Sequence, residues 1–352
     1  MDKKIEKLSS SRKKFCFKWW HIPAVLLLLV IICVSGLYIY VNSHINQNPK
    51  YASDWNDLKN QVSASTSSSS SGSVDQSGLD ALDAGDFSKV EQKDYPIIKM
   101  KQKDPNIENI LIMGIDGGEP GGIGVNRADS IIIASINKKA NTLKLASLMR
   151  DTKTYFPDTN TYHKLNAAFS YGGPGLQIDI INYSYKLDIQ KYIQVDFSGF
   201  TNIINVVGDV PITLTDKEVS YLNLGTKGGS YNLDPAHTLD YVRARELDTD
   251  FLRTQRQRNV MLSLYSKFRD VNLMTKTLVA NDCLGFVKTN IPTTELMGDL
   301  LTFESTMSSN IEQIEIPTDG DGMYTTETSP IWFWNLDWNK EVPKLQNFIY
   351  GK

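Results

Sequence analysis

The sequence contains few cysteines: its 352 residues include three, Cys16, Cys33 and Cys283. Only Cys283 lies beyond the long apolar segment near the N-terminus, so the part of the chain after that segment cannot form an internal disulfide. A disulfide scaffold and a zinc site built on cysteine pairs are therefore excluded. With 41% hydrophobic residues, the chain can instead be stabilised by an ordinary core.

Motifs of several well-known enzyme classes are also absent. The sequence has no Gly-x-x-x-x-Gly-Lys-Ser/Thr phosphate loop, no His-Glu-x-x-His motif and no Gly-x-Ser-x-Gly motif. His44, His163 and His237 are isolated in the sequence, so a histidine-based triad is unsupported. The glycine-rich run at residues 117–122 does not match a dinucleotide-binding fingerprint.

Charged residues are missing from residues 19–41. About 22 apolar residues form a helix of roughly 33 Å, which is long enough to cross a bilayer. Residues 1–18 carry seven basic and two acidic side chains, so the positive-inside rule places them in the cytoplasm and everything after residue 41 outside. We therefore expect a single-pass, type II protein of the cell membrane, with a cleaved signal peptide as the alternative.

The chain beyond residue 41 carries 30 basic and 38 acidic side chains, which argues against binding to nucleic acid. Residues 42–105 are predicted to be an extracellular tether, because Ser63 to Ser73 is almost entirely serine. Dense apolar patterning then marks a domain at 106–318, followed by a C-terminal tail at 319–352. We expect the tail to pack on the domain, although its aromatic residues could also stack on sugars: Trp332, Phe333, Trp334 and Trp338.

The domain alternates strand and helix patterns. Short apolar runs predict strands at Ile110–Ile115, Ser130–Ile136 and Leu143–Met149, the last two forming a hairpin. Helices are predicted at 197–207 and 251–268. This alternation predicts an α/β fold with a central mixed β-sheet flanked by helices on both faces.

A first charged cluster consists of Asp116, Arg127, Asp129, Arg150 and Asp151. If the first strand lies antiparallel to the second, Asp116, Asp129 and Arg150 meet at one edge of the sheet, where α/β folds place ligands. Two carboxylates beside an open loop suit Mg²⁺, which binds a few carboxylates together with water and phosphate oxygens. Alternatively, Asp116 caps a turn and Arg150 pairs with Asp129 or Asp151.

A second cluster holds five arginines within sixteen residues. Arginine binds phosphate with two parallel hydrogen bonds and stays charged when partly buried. Asp250 is predicted to cap the helix that follows, whose free N–H groups would add to an anion site. Alternatively, Arg245 pairs with Asp248 and Arg253 with Asp250. The cluster consists of Arg243, Arg245, Asp248, Asp250, Arg253, Arg256 and Arg258.

Five collinear segments together resemble the LytR–CpsA–Psr family of Gram-positive cell-envelope proteins. They are Asn109-Ile-Leu-Ile-Met-Gly-Ile-Asp116, Arg127-Ala-Asp129-Ser-Ile, Met149-Arg150-Asp151-Thr152, Lys164-Leu-Asn166-Ala-Ala-Phe-Ser-Tyr171-Gly-Gly-Pro174, and Tyr241 through Gln257. The short basic tail and single span are similar to that family as well.

The resemblance implies a phosphotransferase that moves a glycopolymer (teichoic acid, capsule or similar) from undecaprenyl diphosphate to peptidoglycan, at the C6 hydroxyl of N-acetylmuramic acid. By match to the family's motifs, Asp116 and Asp129 would hold Mg²⁺, with Mn²⁺ as an alternative. The same match assigns the clamping of phosphate oxygens to arginines, chiefly Arg150, Arg245 and Arg253, with Arg127 and Arg243 nearby.

The remaining roles are also implied by the resemblance. Gln257 would help to orient the ligand, and Asp248 or Asp250 would assist deprotonation of the sugar hydroxyl. The C55 lipid tail needs an apolar slot, expected between sheet and helices. A non-catalytic regulator that binds polyprenyl phosphate with the same arginines is the alternative function.

Overall fold

A computed structural model of the chain describes residues 52, 55–68, 95–116, 126–244, 247, 249–304, 311–318, 324–327 and 332–351. The predicted cytoplasmic tail and membrane span at 1–41 lie outside the described residues. Among the helices that are described, none combines the length and apolar character required to cross a membrane.

The centre of the domain is a six-stranded sheet in the order β10-β3-β2-β1-β6-β9. Strand β2 is antiparallel to both β1 and β3, whereas β1–β6 and β3–β10 are parallel, so the sheet is mixed as predicted. The predicted β2–β3 hairpin and the predicted β1–β2 pairing are both present. The strands are β1 (Ile107–Asp116), β2 (Arg127–Asn137), β3 (Thr142–Leu148), β6 (Lys191–Asp196), β9 (Lys288–Thr289) and β10 (Glu312–Ile316).

Helices and three two-stranded ribbons surround this sheet. The ribbons pair β4 (Lys153–Phe156) with β5 (Thr161–Lys164), β7 (Val210–Leu214) with β8 (Gly229–Leu233), and β11 (Tyr324–Glu327) with β12 (Phe333–Leu336). The helices are α1 (Trp55–Ser68), α2 (Ala167–Tyr185), α3 (Phe197–Val207), α4 (Asp216–Tyr221), α5 (Pro235–Arg243), α6 (Asp250–Arg269), α7 (Leu273–Leu284), α8 (Thr293–Glu304) and α9 (Trp338–Tyr350).

The apolar residues of β2 serve both faces of the sheet. Ile131 and Ile133 join a core with α1, α2 and α9, whereas Ile132 packs in a separate cluster with Met261 of α6. Successive side chains of a strand point to opposite faces, so a strand covered on both sides reads as a continuous apolar run. The helices therefore flank both faces, as the sequence predicts.

Helix α2 is interrupted rather than straight. Gly172 and Gly173 leave the helical conformation, with Gly173 at φ 61°, a value that favours glycine. Pro174 follows and has no N–H for the preceding turn. The interruption divides a buried helix whose two halves both contribute residues to the main core.

Helix α1 differs from the predicted tether at 42–105, since it belongs to the folded domain. Leu58 and Val62, one turn apart, are buried in the same core as α2. The segment at 95–100 also packs there, and Asp179 of α2 accepts a hydrogen bond from the Ile98 N–H at 3.1 Å. Polar sequence predicted a flexible segment, but tertiary burial of a few apolar side chains makes it helical.

The C-terminal tail packs on the domain through α9. Leu345 and Ile349 are buried in the main core, and the Trp338 ring meets Tyr185 edge-on at 5.2 Å. Trp334 contacts Phe251, the second residue of α6, at 5.3 Å between ring centres. The tail aromatics thus pack on the domain at α2 and at the start of α6.

Candidate functional site

One edge of the central sheet collects the first charged cluster. β1 ends at Asp116, which lies opposite Arg127 at the start of β2. β3 ends at Leu148, so Arg150 follows at the same edge. The predicted topology is therefore correct, and it brings these side chains together.

A bulge in β2 sets the position of Asp129. Gly114 pairs with Ser130 and Ile115 pairs with Ala128, so Asp129 is the extra residue of the bulge. A bulge bends its strand and re-aims a side chain. Gly114 permits close strand contact here, since a Cβ at this position would lie 3.0 Å from the Ser130 Cβ.

Arg150 is held by two carboxylates. Its Nη1 lies 2.8 Å from Asp129 Oδ2 and its Nε lies 3.1 Å from Asp151 Oδ2, while Lys164 Nζ lies 2.9 Å from Asp151 Oδ1. Burial alone would lower the pKa of Arg150, but the carboxylates of Asp129, Asp151 and Asp250 raise it above its ordinary value. Internal pairing of Arg150, which the sequence left open, is therefore present.

The same electrostatic effect shows that the second cluster reaches the first. Asp250, at the start of α6, is close enough to raise the pKa of Arg150. Its Oδ1 also lies 2.8 Å from Nη2 of Arg253, whose side chain is only 6% exposed. The sequence prediction of Asp250 as N-cap is wrong: Thr249 occupies that position, and the Asp250 carboxylate pairs with Arg253.

A narrow cavity of about 150 Å³ lies between the sheet and helices α3, α5 and α6. Four of its lining residues are site residues predicted from sequence, namely Asp129, Arg243, Arg253 and Gln257. The walls are otherwise mostly apolar, including Ile112, Ile132, Val195, Phe200, Leu239, Val242, Val260, Met261 and Leu264. A cavity with charged groups and long apolar walls suits a ligand that has an anionic head and a hydrocarbon tail.

Two polar residues of the cavity have distinct surroundings. The guanidinium carbon of Arg243 lies 4.3 Å from the centre of the Phe197 ring, a cation–π contact that holds an exposed arginine in place. The Oε1 of Gln257 is buried and has no hydrogen-bond partner among the described residues. It can therefore accept a hydrogen bond from a bound ligand.

Other arginines of α6 serve the fold. Arg256 donates to Glu218 of α4 and to the carbonyl of Ala244. Arg258 donates to Gln255 and to Glu315 of β10. Arg245 and Asp248 lie outside the described residues, so their predicted roles stay predictions.

The carboxylates predicted for the metal fit a hard cation. Asp116 is half-buried at the end of β1, and Asp129 lies on the neighbouring strand at the same edge. Within the described residues, no group of three or more His, Cys, Asp or Glu side chains is arranged around a common point. Two carboxylates supplemented by phosphate oxygens match the preference of Mg²⁺.

Sequence reasoning missed two carboxylates near this edge. Asp196 ends β6, lies opposite Ile115 in the parallel register and caps α3 by accepting from the Gly199 N–H at 2.7 Å. It also lines the cavity. Its position between an apolar strand and a helix is an N-cap pattern that could have identified it. Glu315 of β10 has a raised pKa, chiefly because of burial, and Asp250 adds to this effect.

The sequence model of the LytR_cpsA_psr family matches residues 68–341, which is most of the chain. The chain belongs to the LytR–CpsA–Psr family. The match continues past residue 318, the predicted end of the domain, and includes much of the C-terminal tail that packs on it.

Relatives within the LytR–CpsA–Psr family agree with this assignment. The chain is 28% identical over 264 residues to the polyisoprenyl-teichoic acid–peptidoglycan teichoic acid transferase TagT of Bacillus subtilis (strain 168), covering 71% of this chain and 80% of that protein. The crystal structure of B. subtilis TagV is 25% identical and covers 70% of this chain and 98% of that chain, with a TM-score of 0.57.

A structure of TagT bound to LIIa-WTA has the same fold as this LytR–CpsA–Psr chain. It is 22% identical and has a TM-score of 0.57, and the match covers 72% of this chain and 95% of that chain. The mixed sheet with flanking helices is thus the fold of solved family members.

Proposed function

We propose that this chain is a membrane-anchored extracellular phosphotransferase that moves a cell-wall glycopolymer from undecaprenyl diphosphate to peptidoglycan. The observation that carries the proposal is the cavity between the sheet and α6, where Asp129, Arg243 and Arg253 meet apolar walls. A lipid-linked diphosphate combines a hydrocarbon tail and a charged head in the same way. The names of family relatives, which are teichoic acid transferases acting on peptidoglycan, support this choice.

The arginines would bind and neutralise the diphosphate. Arg150 and Arg253 are held by carboxylates before any ligand arrives, so their positions need little reorganisation when a phosphate binds. A guanidinium has five N–H donors, so it can bind carboxylate and phosphate oxygens together. Arg127, Arg243 and Arg245 complete the proposed clamp, and Gln257 would accept a hydrogen bond that orients the ligand.

Asp116 and Asp129 would hold Mg²⁺, or Mn²⁺ in its place. The ion would neutralise charge on the diphosphate and polarise the phosphorus that is attacked. Arg150 connects to this pair through Asp129 at 2.8 Å, so the proposed metal ligand and the proposed phosphate clamp are positioned together.

The proposed reaction exchanges one phosphorus–oxygen bond for another. The acceptor hydroxyl, at C6 of N-acetylmuramic acid, attacks the phosphorus that carries the polymer, and the bond from that phosphorus to the bridging oxygen breaks. Undecaprenyl phosphate leaves, and the polymer remains linked to peptidoglycan through a phosphodiester. A carboxylate at the start of α6, Asp248 or Asp250, would take the hydroxyl proton.

The decisive experiment is product analysis with the full-length protein in detergent. Incubated with a lipid-diphosphate-linked polymer and peptidoglycan, it should release polyprenyl phosphate and form polymer-linked glycan. Binding of the lipid without either product would contradict the proposal and support a non-catalytic regulator that binds polyprenyl phosphate.

The proposed location is the cell membrane, with residues 1–18 in the cytoplasm and the domain outside. Protease treatment of intact cells should digest the domain and leave an N-terminal tag on the cytoplasmic side protected. Recovery of the domain from the medium in a form that begins near residue 41 would instead indicate a cleaved signal peptide.

A further inference from the structure

A second concave surface lies on the opposite side of the sheet from the cavity. We name it the tyrosine groove: it is lined by Tyr155 and Tyr162 of the β4–β5 hairpin, Tyr183 at the end of α2, and Trp338 at the start of α9. Its volume is about 610 Å³, and it is open to solvent. The Tyr155 ring contacts the other two tyrosine rings: its centre lies 5.4 Å from that of Tyr162 and 5.9 Å from that of Tyr183.

The aromatic side chains of the groove are accessible to a ligand, since Tyr162 is exposed and Tyr155, Tyr183 and Trp338 are half-buried. Tyr162 has a large, mostly apolar side chain, and 57% of it is exposed to solvent. An aromatic ring presents an electron-rich face, which complements the weakly positive C–H face of a sugar ring. The groove therefore offers several adjacent stacking positions.

Lysines give the groove a positive charge. Lys59 Nζ lies 4.9 Å from the Tyr155 ring centre, and Lys186 Nζ lies 4.4 Å from that of Tyr183. The residues that line the groove include Lys59 and Lys186 but no carboxylate. Its charge is complementary to an acidic ligand.

The β4–β5 hairpin connects the groove to the charged edge of the sheet. Tyr155 pairs with Tyr162, and two residues away Lys153 pairs with Lys164 on the same face of the hairpin. Lys164 in turn binds Asp151, the partner of Arg150. With a rise of about 3.3 Å per residue, the tyrosine pair lies roughly 7 Å along the strands from the lysine pair.

We propose that the tyrosine groove binds the acceptor, a glycan strand that carries carboxylates, and directs it along the hairpin towards Arg150. This inference rests on the proposed function, in which peptidoglycan is the acceptor. The lipid donor enters from the α6 side of the sheet, and the acceptor approaches from the α2 and α9 side. The two substrates then meet at the edge where β1 and β3 end.

The test uses the full-length protein in three assays. In detergent, they are sedimentation with purified polymer-free peptidoglycan and the transfer reaction with donor and acceptor varied separately; the third is the transfer reaction with the protein reconstituted in vesicles with or without phosphatidylglycerol. The variants are Tyr162→Ala and the double variant Tyr155→Ala with Tyr162→Ala. Tyr162→Phe keeps the ring, and Tyr221→Ala removes another exposed tyrosine, 37% exposed on α4 outside the groove.

We expect each lost ring to weaken peptidoglycan binding and to raise the acceptor KM about three- to tenfold, with the donor KM and kcat changed by less than about twofold. Tyr162→Phe and Tyr221→Ala should behave like the wild type. Because the Tyr162 side chain is largely exposed, its removal leaves the fold intact, which a thermal unfolding curve verifies.

Three outcomes separate the possibilities. If the double variant binds peptidoglycan as tightly as Tyr221→Ala while the wild type transfers polymer, the groove proposal is wrong and the proposed function stands. If it keeps peptidoglycan binding and differs from the wild type only in vesicles that contain phosphatidylglycerol, the groove contacts the membrane surface and the proposal is likewise wrong. If the wild type makes no transfer product yet binds peptidoglycan through these rings, the proposed function fails and the groove proposal is supported.

Discussion

Arg150 and Asp129 form an ion pair with 2.8 Å between Nη1 and Oδ2, and this pair joins the proposed phosphate clamp to the proposed metal ligand. Asp129 is the extra residue of the bulge in β2, and the bulge directs its carboxylate towards Arg150. Asp151 holds the same guanidinium from another side at 3.1 Å. A charge held in this way is oriented before the substrate arrives, which is the condition for electrostatic catalysis.

Replacement of Arg150 by alanine should lower the rate of polymer transfer about 10²- to 10³-fold, since a preorganised cationic donor is lost. Arg150→Lys should retain part of the rate, because it keeps the charge but loses the planar fork. Arg269→Ala is the matched control, as its guanidinium pairs with Asp270 at the far end of α6. Equal transfer rates for Arg150→Ala and Arg269→Ala would show that Arg150 does not bind the substrate phosphate.

Narrowing the cavity should raise the KM for donors with a long lipid chain more than the KM for donors with a short one. Leu264 lines the cavity whereas Leu262, on the same helix, does not, so Leu264→Phe and Leu262→Phe form a matched pair. We expect Leu264→Phe to raise the KM for a C55 donor about tenfold and to change little for a short-chain donor. The Leu262→Phe enzyme should have wild-type KM values for both donors. If Leu262→Phe raises the KM for the C55 donor and Leu264→Phe does not, the lipid binds elsewhere.

Removal of divalent cations should abolish transfer. After chelation, activity should return with Mg²⁺ and in part with Mn²⁺. Asp116→Asn should raise the Mg²⁺ concentration needed for half-maximal rate about tenfold or more, since it removes one of two charged ligands. Full activity of chelated wild-type protein would show that the carboxylates have another role.

Glu108 provides a pH test of the fold away from the site. Burial alone would raise its pKa, but hydrogen bonds and attraction from Lys138 and Lys191 lower it below the ordinary value. A depressed pKa contributes stability at neutral pH, and this contribution is lost as the pH falls from the ordinary glutamate pKa of about 4.3 through the folded value.

In urea titrations, Glu108→Gln should therefore be less stable than the wild type at pH 7, and the difference should shrink below about pH 4. Transfer activity at pH 7 should be unchanged, because Glu108 lies near the start of β1 and Asp116 at its end. A constant difference in stability across this range would show that the ion pairs contribute nothing.

The sheet was predictable because the apolar run of β1 is typical of a strand buried on both faces, and because β2 and β3 follow each other closely enough to form a hairpin. Their antiparallel order was enough to bring Asp116, Asp129 and Arg150 to one edge. The bulge at Asp129 was not predictable, because it depends on how Gly114 and Ser130 approach each other across two strands. Helix α1 was missed for a related reason: Leu58 and Val62 are too few apolar residues to indicate a helix without the core that buries them.

The partners of the arginines were the least predictable part of the site. Five arginines lie close together in sequence, but only long-range contacts separate their roles. Arg256 binds Glu218 and Arg258 binds Glu315, partners that are 38 and 57 residues away along the chain. Arg243 and Arg253 line the cavity instead. Composition could indicate an anion-binding region there, but not which guanidinium groups reach the ligand.

The bulge in β2 also has a consequence for how the protein can diversify. Asp129 is one extra residue in β2 relative to β1. The pairing register from Gly114 and Ser130 into the sheet therefore does not depend on the register of the residues before Asp129. The backbone at 127–129 can therefore shift without turning Ile131 and Ile133 out of the core. The geometry of the charged site and the packing of the core are thereby partly independent of each other, so the positions of Arg127 and Asp129 can be adjusted without loss of the fold.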